Sequence, residues 1–308
     1  MPGQPATVIA RWSAANPQSS IPLLGRSLTV TRPGVSLCRR AVQIRALRLP
    51  ASEANGKEGR NMYVVRALDG NAEKVSVFVE DPAAPATRRA KGKGKADSDD
   101  DDDLMIVEPG AKHEEDDTPA HTRWTYSSIA LPSSSSSANT PPVSAVFDTF
   151  IQRSLFAPAQ PGAPAGQRDS SYWQPRAQYI AIEGYTFSVG AAAGSAGEWE
   201  VKVGSVLLKG GTASGTTKGC VVEAIYLPVP YLPAKSTFIK DFLLSLFPPA
   251  AVQNNEIEFL QLAEDDFHEA GMLDLPDPGK GEEPGEWEWQ DKHSTYALVQ
   301  QFKKEGLL

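Results

Sequence analysis

Two glutamates, Glu198 and Glu200, come nearest in this sequence to a catalytic or metal-binding arrangement. They flank Trp199 in EWEVKVG, whose alternation is typical of a β-strand, so both carboxylates should project from one face. Two strands that present carboxylates to a barrel interior could hold a divalent cation for phosphoryl chemistry. The neighbouring strand CVVEAIY offers only Glu223, and Lys202 partly neutralises the carboxylate face. We therefore interpret both glutamates as the solvated side of a strand, with a metal site as the alternative.

The histidines and a second glutamate pair lack metal-site spacing. None of the four histidines has a paired ligand at the separation typical of a zinc site; they are His113, His121, His268 and His293. The stretch EWEW at 286–289 repeats the carboxylate alternation, but it lies in a Pro- and Gly-rich segment. We interpret the histidines as solvated side chains and predict neither a metal ion nor a cofactor.

Motifs for nucleophilic catalysis and phosphate binding are also missing from the sequence. The patterns G-x-S-x-G, G-x-G-x-x-G and G-x-x-x-x-G-K-[ST] do not occur. The Gly-rich stretch 210–219 joins two predicted strands, so we interpret it as a hairpin loop. Cys38 and Cys220 are too few for a disulfide scaffold, and Cys220 lies in an apolar strand that favours buried packing. These features predict a protein that is not an enzyme and has no small-molecule substrate.

Charge and hydropathy limit the classes of partner. The 308 residues carry a net charge of −8, which argues against general nucleic-acid binding. A basic run precedes the acidic run 97–103; its cations are Arg88, Arg89, Lys91, Lys93 and Lys95. It is interpreted as a nuclear localisation signal or a charge-balanced linker, with a nucleic-acid contact in third place. No apolar stretch is long enough to span a membrane and the start is unlike a signal peptide, which predicts a soluble intracellular protein.

Hydrophobic periodicity predicts a protein built mainly from strands joined by hairpins. Alternating or apolar runs predict strands at 7–12, 41–49, 61–67, 74–80, 123–131, 177–188, 198–209 and 219–229. Apolar residues spaced by three and four predict a first helix capped by Ser19 or Ser20 and further helices at 143–156, 237–247 and 294–305, with a short acidic helix at 255–270. The helices are too few for alternating βαβ units, which favours an α+β fold: an antiparallel β-barrel with flanking helices.

Four segments of biased composition interrupt this predicted barrel. We expect one discontinuous domain over 1–308, with a disordered basic and acidic insert at 81–121. Low-complexity linkers are expected at 132–142 and 157–171, and a loose acidic segment at 274–290.

The apolar side of the strand at 198–209 changes at Gly204. Before it the apolar residues have odd numbers, and after it Val206 and Leu208 have even ones. A β-bulge at Gly204 would exchange the two faces and bend the sheet. The alternative is that both faces of the strand are covered.

The sequence from 199 to 247 resembles subunit 20 of the eukaryotic Mediator complex. The shared pattern is a VKVG-[ST]-V strand at 201–206, a Gly-containing loop at 210–219, a strand ending in VEAIY at 222–226 and a Phe- and Leu-rich helix at 237–247. Weaker similarity extends to GRNMYVV with VSVFVED at 59–81 and to a closing helix near 296–302.

This resemblance implies a non-catalytic β-barrel subunit in the nucleus. It implies pairing with Mediator subunit 18 in the head module, which links transcription regulators such as activators to RNA polymerase II. Such a barrel is similar to tunnel-type RNA triphosphatases, so a metal-dependent phosphohydrolase using Glu198 and Glu200 is the alternative function. If the barrel face near a Pro-stiffened strand end is the docking surface, Tyr226, Val229 and Tyr231 are its predicted residues. Packing of the same residues beneath the helix at 238–247 is the competing interpretation.

Overall fold

The structure is a computed structural model, and its described residues form antiparallel sheets with flanking helices. They are residues 4–16, 18–51, 59–82, 84, 123–131, 149, 151, 153, 155–156, 172–190, 197–211, 215–233, 235–260, 262, 266–267, 270–273 and 289–308. The predicted segments 81–121, 132–142, 157–171 and 274–290 lie almost wholly outside this set. At their borders, Asp81 forms an ion pair with Arg60 at 2.9 Å, and Gln290 caps the last helix.

Most predicted strands are present, several of them longer than expected. The strands are β1 (Gln4–Pro5), β2 (Thr7–Trp12), β3 (Val35–Leu49), β4 (Arg60–Asp69), β5 (Ala72–Glu80), β6 (Trp124–Leu131), β7 (Gln174–Val189), β8 (Trp199–Lys209), β9 (Thr216–Tyr226), β10 (Tyr231–Leu232) and β11 (Ile257–Phe259). The helices are α1 (Ser20–Arg26), which continues as a π-helical turn over Ser27–Thr31, α2 (Phe238–Leu244), α3 (Pro249–Gln253) and α4 (Asp291–Lys304). No helix among these described segments has the length and apolarity needed to cross a membrane.

Nine strands form one antiparallel sheet in the order β11-β2-β9-β8-β7-β3-β4-β5-β6. The predicted hairpins β4–β5 and β8–β9 each form a pair of neighbouring strands. Strand β2 also pairs with β9, although more than 200 residues separate the two in sequence. In the part of the chain that the structure describes, no ladder joins β11 to β6. The antiparallel sheet with flanking helices is therefore present, and the closure expected of a barrel is not confirmed.

The sheet nevertheless curls strongly around α4. Glu305, just after α4, accepts from Arg11 of β2 at 2.9 Å, and Lys303 donates to Glu80 of β5 at 2.6 Å. Strands β2 and β5 lie six steps apart in the sheet, which would separate them by about 29 Å if the sheet were flat. Two residues from one turn of helix reach both strands, so the sheet must bend around the helix.

Apolar residues cover both faces of the central strands. On the concave face the α4 core contains Leu298 and Phe302 of the helix, with Val206 and Leu208 of β8. On the other face the α2 core contains residues of α1, α2 and α3 and the odd-numbered β8 residues, which are Trp199, Val201 and Val203. The apolar pattern of β8 changes at Gly204 because the buried apolar residues before it face the α2 core and those after it face the α4 core.

The β-bulge expected at Gly204 is therefore wrong. The β7–β8 ladder runs through the Gly184–Gly204 pair without a shift. The irregularity lies in β9, where an extra residue falls between the partners of Ser205 and Leu207. Gly219 occupies that position with φ of +88°, a left-handed conformation that glycine adopts without a steric cost.

The prediction of an acidic helix at 255–270 is also wrong for the first residues of that range. Ile257–Phe259 forms β11, which pairs with Ala10–Trp12 of β2 at the sheet edge. Pairing with a distant strand overrides the local pattern. The helix expected at 237–247 ends earlier, at Leu244, and Pro249 begins the separate helix α3.

Candidate functional site

The predicted carboxylates Glu200 and Glu223 meet beneath the start of α4 in a cluster of charged groups. Lys202 of β8 lies directly opposite Glu223 of β9 in the ladder, so their side chains share the concave face. Arg40 of β3 reaches the same site, and Ser294 comes down from the first turns of α4. We call Arg40, Glu200, Lys202, Glu223, Asp291 and Ser294 the α4 ion cluster.

Glu223 is the centre of this cluster and is 2% exposed. Its Oε2 accepts from Arg40 Nη1 at 3.2 Å and lies 3.7 Å from Lys202 Nζ. Its Oε1 accepts a hydrogen bond from the Ser294 hydroxyl. A buried carboxylate needs such partners, because removing an unpaired charge from water destabilises the folded state by roughly several kcal/mol.

Lys202 stands where three carboxylates converge. Its Nζ lies 3.2 Å from Glu200 Oε1, 3.5 Å from Asp291 Oδ1 and 3.7 Å from Glu223 Oε2. The side chain is only 7% exposed. The ammonium therefore occupies the position between the carboxylates that a divalent cation would need.

The protonation states agree with this geometry. Burial alone raises the pKa of Glu223, but the positive charges of Lys202 and Arg40 and the Ser294 hydrogen bond outweigh it and hold that pKa below the ordinary carboxyl value. Burial alone lowers the pKa of Lys202, but the surrounding carboxylates, Glu223 foremost, raise it above the ordinary value. Both groups are therefore charged near neutral pH.

The cluster connects the central strands to α4 through ion pairs and a hydrogen bond, which is a structural role. Among the described residues, no group of three or more His, Cys, Asp or Glu side chains has a geometry that could hold a metal ion. Glu198, predicted beside Glu200, is exposed ahead of β8, and its backbone oxygen accepts from Leu227 N at 2.8 Å. Glu200 is half-buried and paired, so the interpretation of this side chain as merely solvated is wrong.

Sequence reasoning missed Arg40, Asp291 and Ser294. Arg40 lies 251 positions before Asp291 and 254 before Ser294. Only the folding of β3 against the central strands, and of α4 across them, brings the three residues together. A local signal existed for Glu200, Lys202 and Glu223, since each is a charge within a predicted strand that is otherwise largely apolar.

One of the four histidines, His293, is described, and it is 1% exposed. It is a capping residue: its Nδ1 accepts from Gln290 N at 2.8 Å. Burial, with the nearby charge of Lys292, lowers the pKa of His293 to about 4, so the ring is neutral at pH 7. The interpretation of His293 as solvated is wrong; His113, His121 and His268 lie outside the described residues.

Cys220 packs in the α2 core, as the sequence predicts. Burial raises the pKa of the Cys220 thiol to about 12, which keeps it protonated and unreactive.

The predicted partner residues surround an aromatic cluster at one end of the sheet. Tyr226 is half-buried, with its ring 4.8 Å from that of Trp199 and 5.1 Å from that of Phe238. Tyr231 is half-buried in the short β10 ladder, and Val229 is 37% exposed. Thus Tyr226 packs against α2, as the competing interpretation expected, and Val229 remains accessible.

Two further apolar residues extend this end of the molecule. Leu227 follows Tyr226 and is 51% exposed, and Phe238 at the start of α2 is 46% exposed. We call Leu227, Val229 and Phe238 the end surface. The Phe238 ring lies 5.1 Å from that of Tyr226, the residue before Leu227, and exposed apolar patches are typical of protein–protein contacts. The basic run of Arg88, Arg89, Lys91, Lys93 and Lys95 lies outside the described residues.

The buried ion pair gives a prediction about stability. We expect Glu223→Gln to lower the free energy of unfolding by about 3–5 kcal/mol, because it leaves Lys202 and Arg40 without their central anion. Adding Lys202→Met should recover part of this loss, measured by urea unfolding as a double-mutant cycle. The half-exposed pair Lys209–Glu183 is the matched control, and its removal should cost about 1 kcal/mol or less. Equal effects at both pairs would contradict the structural role.

The buried ring of His293 gives a prediction about pH. Its pKa is about 4 in the folded chain and about 6.5 when unfolded, so the unfolded state binds more protons between these values. Stability should therefore fall as the pH is lowered from about 6.5 to 4. His293→Gln can keep the helix cap but does not titrate, so urea midpoints of this variant should fall less over that range. Parallel curves for the two proteins would rule out this contribution.

Comparisons with known proteins leave the family open. No protein-family model and no curated protein matches the sequence. Among solved structures, the PH1819 protein from Pyrococcus horikoshii OT3 is similar over 78% of this chain and 88% of its own, with 9% identity and a TM-score of 0.29. A similarity at that level is too weak to support an inference about this chain.

Proposed function

We propose that this chain is a non-catalytic subunit of the Mediator coactivator complex in the nucleus. In this proposal it pairs with Mediator subunit 18 in the head module and contributes to regulation of RNA polymerase II transcription. The curled sheet would then be an incompletely closed barrel, filled on its concave side by α4. The single observation that carries the proposal is the end surface, because it lies within the segment that resembles subunit 20.

The described residues of the resembling segment pack against one another. Residues 199–247 supply β8, β9 and α2, and Trp199 stacks on Phe242 with ring centroids 3.7 Å apart. This contact fixes the start of β8 against α2. The residues that carry the resemblance are therefore also the residues that build and support the end surface.

The composition of the end surface favours a protein partner. It offers Leu227, Val229 and the exposed part of Phe238 above a rigid aromatic base of Trp199 and Tyr226. Aromatic anchors supported by buried neighbours are the usual energetic centres of protein interfaces. A partner with an apolar face would remove these side chains from water at little cost in conformational entropy.

The alternative, a metal-dependent phosphohydrolase, finds less support in the geometry. Its required cation would have to displace the Lys202 ammonium from between Glu200, Glu223 and Asp291. Glu198 does not join that group, since it lies exposed ahead of the strand.

Co-expression with subunit 18 tests the main proposal. We expect the two chains to elute together as a stable 1:1 complex in size-exclusion chromatography. The double variant Leu227→Glu and Phe238→Glu should weaken the complex by about a thousandfold, since two interface centres at about 2 kcal/mol each sum to about 4 kcal/mol.

Ile129→Glu is the matched control for that experiment. Ile129 is 55% exposed on the edge strand β6, six strands away from β9, so its substitution should leave the complex intact. Failure of the native chains to associate would refute the pairing, and equal loss with the control variant would refute the assigned surface.

An activity assay tests the alternative. We expect the purified chain, incubated with manganese and a nucleoside triphosphate, to release no phosphate above background. Release that disappears on Glu200→Ala and persists in Glu183→Gln would overturn the non-catalytic proposal.

A further inference from the structure

A second site lies on the convex face of the sheet, away from α4. There a cavity of about 230 Å³ opens between β3, β4 and β7. Its lining includes Arg45, Arg66, Arg176 and Tyr179, and Leu47 and Val64 form an apolar part of the wall. Among the described residues that line it, none is acidic.

The strand register explains how these side chains come together. Arg45 of β3 lies opposite Val64 of β4 on one side and Tyr179 of β7 on the other. Gln43, two residues before Arg45, lies opposite Arg66. Because directly paired residues share a face, all five side chains project from the convex side of the sheet.

The guanidinium of Arg45 is held in place before any ligand binds. It lies over the Tyr179 ring at 4.9 Å from the centroid. With its amide turned so that the carbonyl faces Arg45, Gln43 accepts from Arg45 Nε and Nη2 at 3.0 Å each. A planar guanidinium fixed in this way loses little entropy when it binds a carboxylate.

Arg66 is also held, through Glu73. Its Nε donates to Glu73 Oε1 at 3.0 Å. That pair is close to neutral, so the positive charge offered by the cavity comes mainly from Arg45 and Arg176.

The cavity also has an apolar component. Leu47 and Val64 belong to a small core on this face, and Phe156 and Pro175 contribute to the lining. A dry cavity of about 150 Å³ accepts a benzene ring. The larger volume here therefore accommodates an aromatic or aliphatic side chain, with room for polar groups at the arginines.

We propose that this cavity is a binding site for an acidic peptide segment of a partner protein, with an apolar side chain inside the cavity and flanking carboxylates on Arg45 and Arg176. The arginines of the lining, with no acidic residue among the described lining residues, are complementary in charge to an acidic peptide. Nucleic acid fits it poorly, because an extended phosphate backbone needs a broad basic surface and the whole chain carries a net charge of −8. The site lies on different strands from the end surface and is independent of the Mediator proposal.

The test uses the full chain and a fluorescein-labelled peptide of sequence EDFDLDE. Anisotropy should report saturable binding that weakens as the salt concentration rises, because the carboxylate–arginine contacts are partly exposed. A peptide with Asn and Gln in place of its acids, and one with Ala in place of Phe and Leu, should each bind at least about tenfold more weakly.

Matched variants connect binding to the cavity. Arg45→Gln should weaken binding about tenfold, whereas Arg48→Gln should change it less than about twofold. Arg48 is exposed on the same strand and does not line the cavity. Ala177→Trp should block the cavity while leaving all three arginines in place, and unchanged melting curves would verify that each variant is folded.

Each contrary result has a defined meaning. No saturable binding, equal loss in Arg45→Gln and Arg48→Gln, or undiminished binding to Ala177→Trp would overturn the site. Displacement of the peptide by oligothymidylate at equal or lower concentration would overturn the choice of ligand.

Discussion

The packing of α4 into the concave face sets the shape of the rest of the molecule. Apolar contacts through Leu298 and Phe302 hold the middle of the helix, and ion pairs through Lys303 and Glu305 join it to strands near opposite ends of the sheet. The cluster beneath its first turn then fixes the rotation of the helix, because Ser294 must meet Glu223. The curvature of the sheet and the burial of the charged cluster both follow from this one contact.

Local pattern was enough for most of the strands, because alternation and turn residues are local properties. The hairpin β4–β5 and the hairpin β8–β9 occur close to their expected positions. The pattern left the covering of β8 on both faces as one of two alternatives. It could not decide between them, since the helices on either side come from distant parts of the chain. The same limit explains β11, whose three residues are a strand only because β2 lies beside them.

The residues of the candidate sites also differ in how far the sequence alone could identify them. Glu200, Lys202 and Glu223 stood out as charges within strand patterns, although their role as one another's partners required the ladder register. Arg40 and Ser294 gave no signal, because an arginine on an alternating strand and a serine near a helix start are both ordinary. The convex cavity likewise depends on three strands whose relative positions no single segment specifies.

The position of β2 has a consequence for how the protein is made. This strand lies near the start of the chain, yet its ladder joins Thr7 to Ile225 of β9. At about 5–20 residues per second, a ribosome needs on the order of ten to forty seconds to deliver that partner. During this interval β2 has neither of its sheet neighbours, β9 and β11, so both of its edges are open to pairing with other strands.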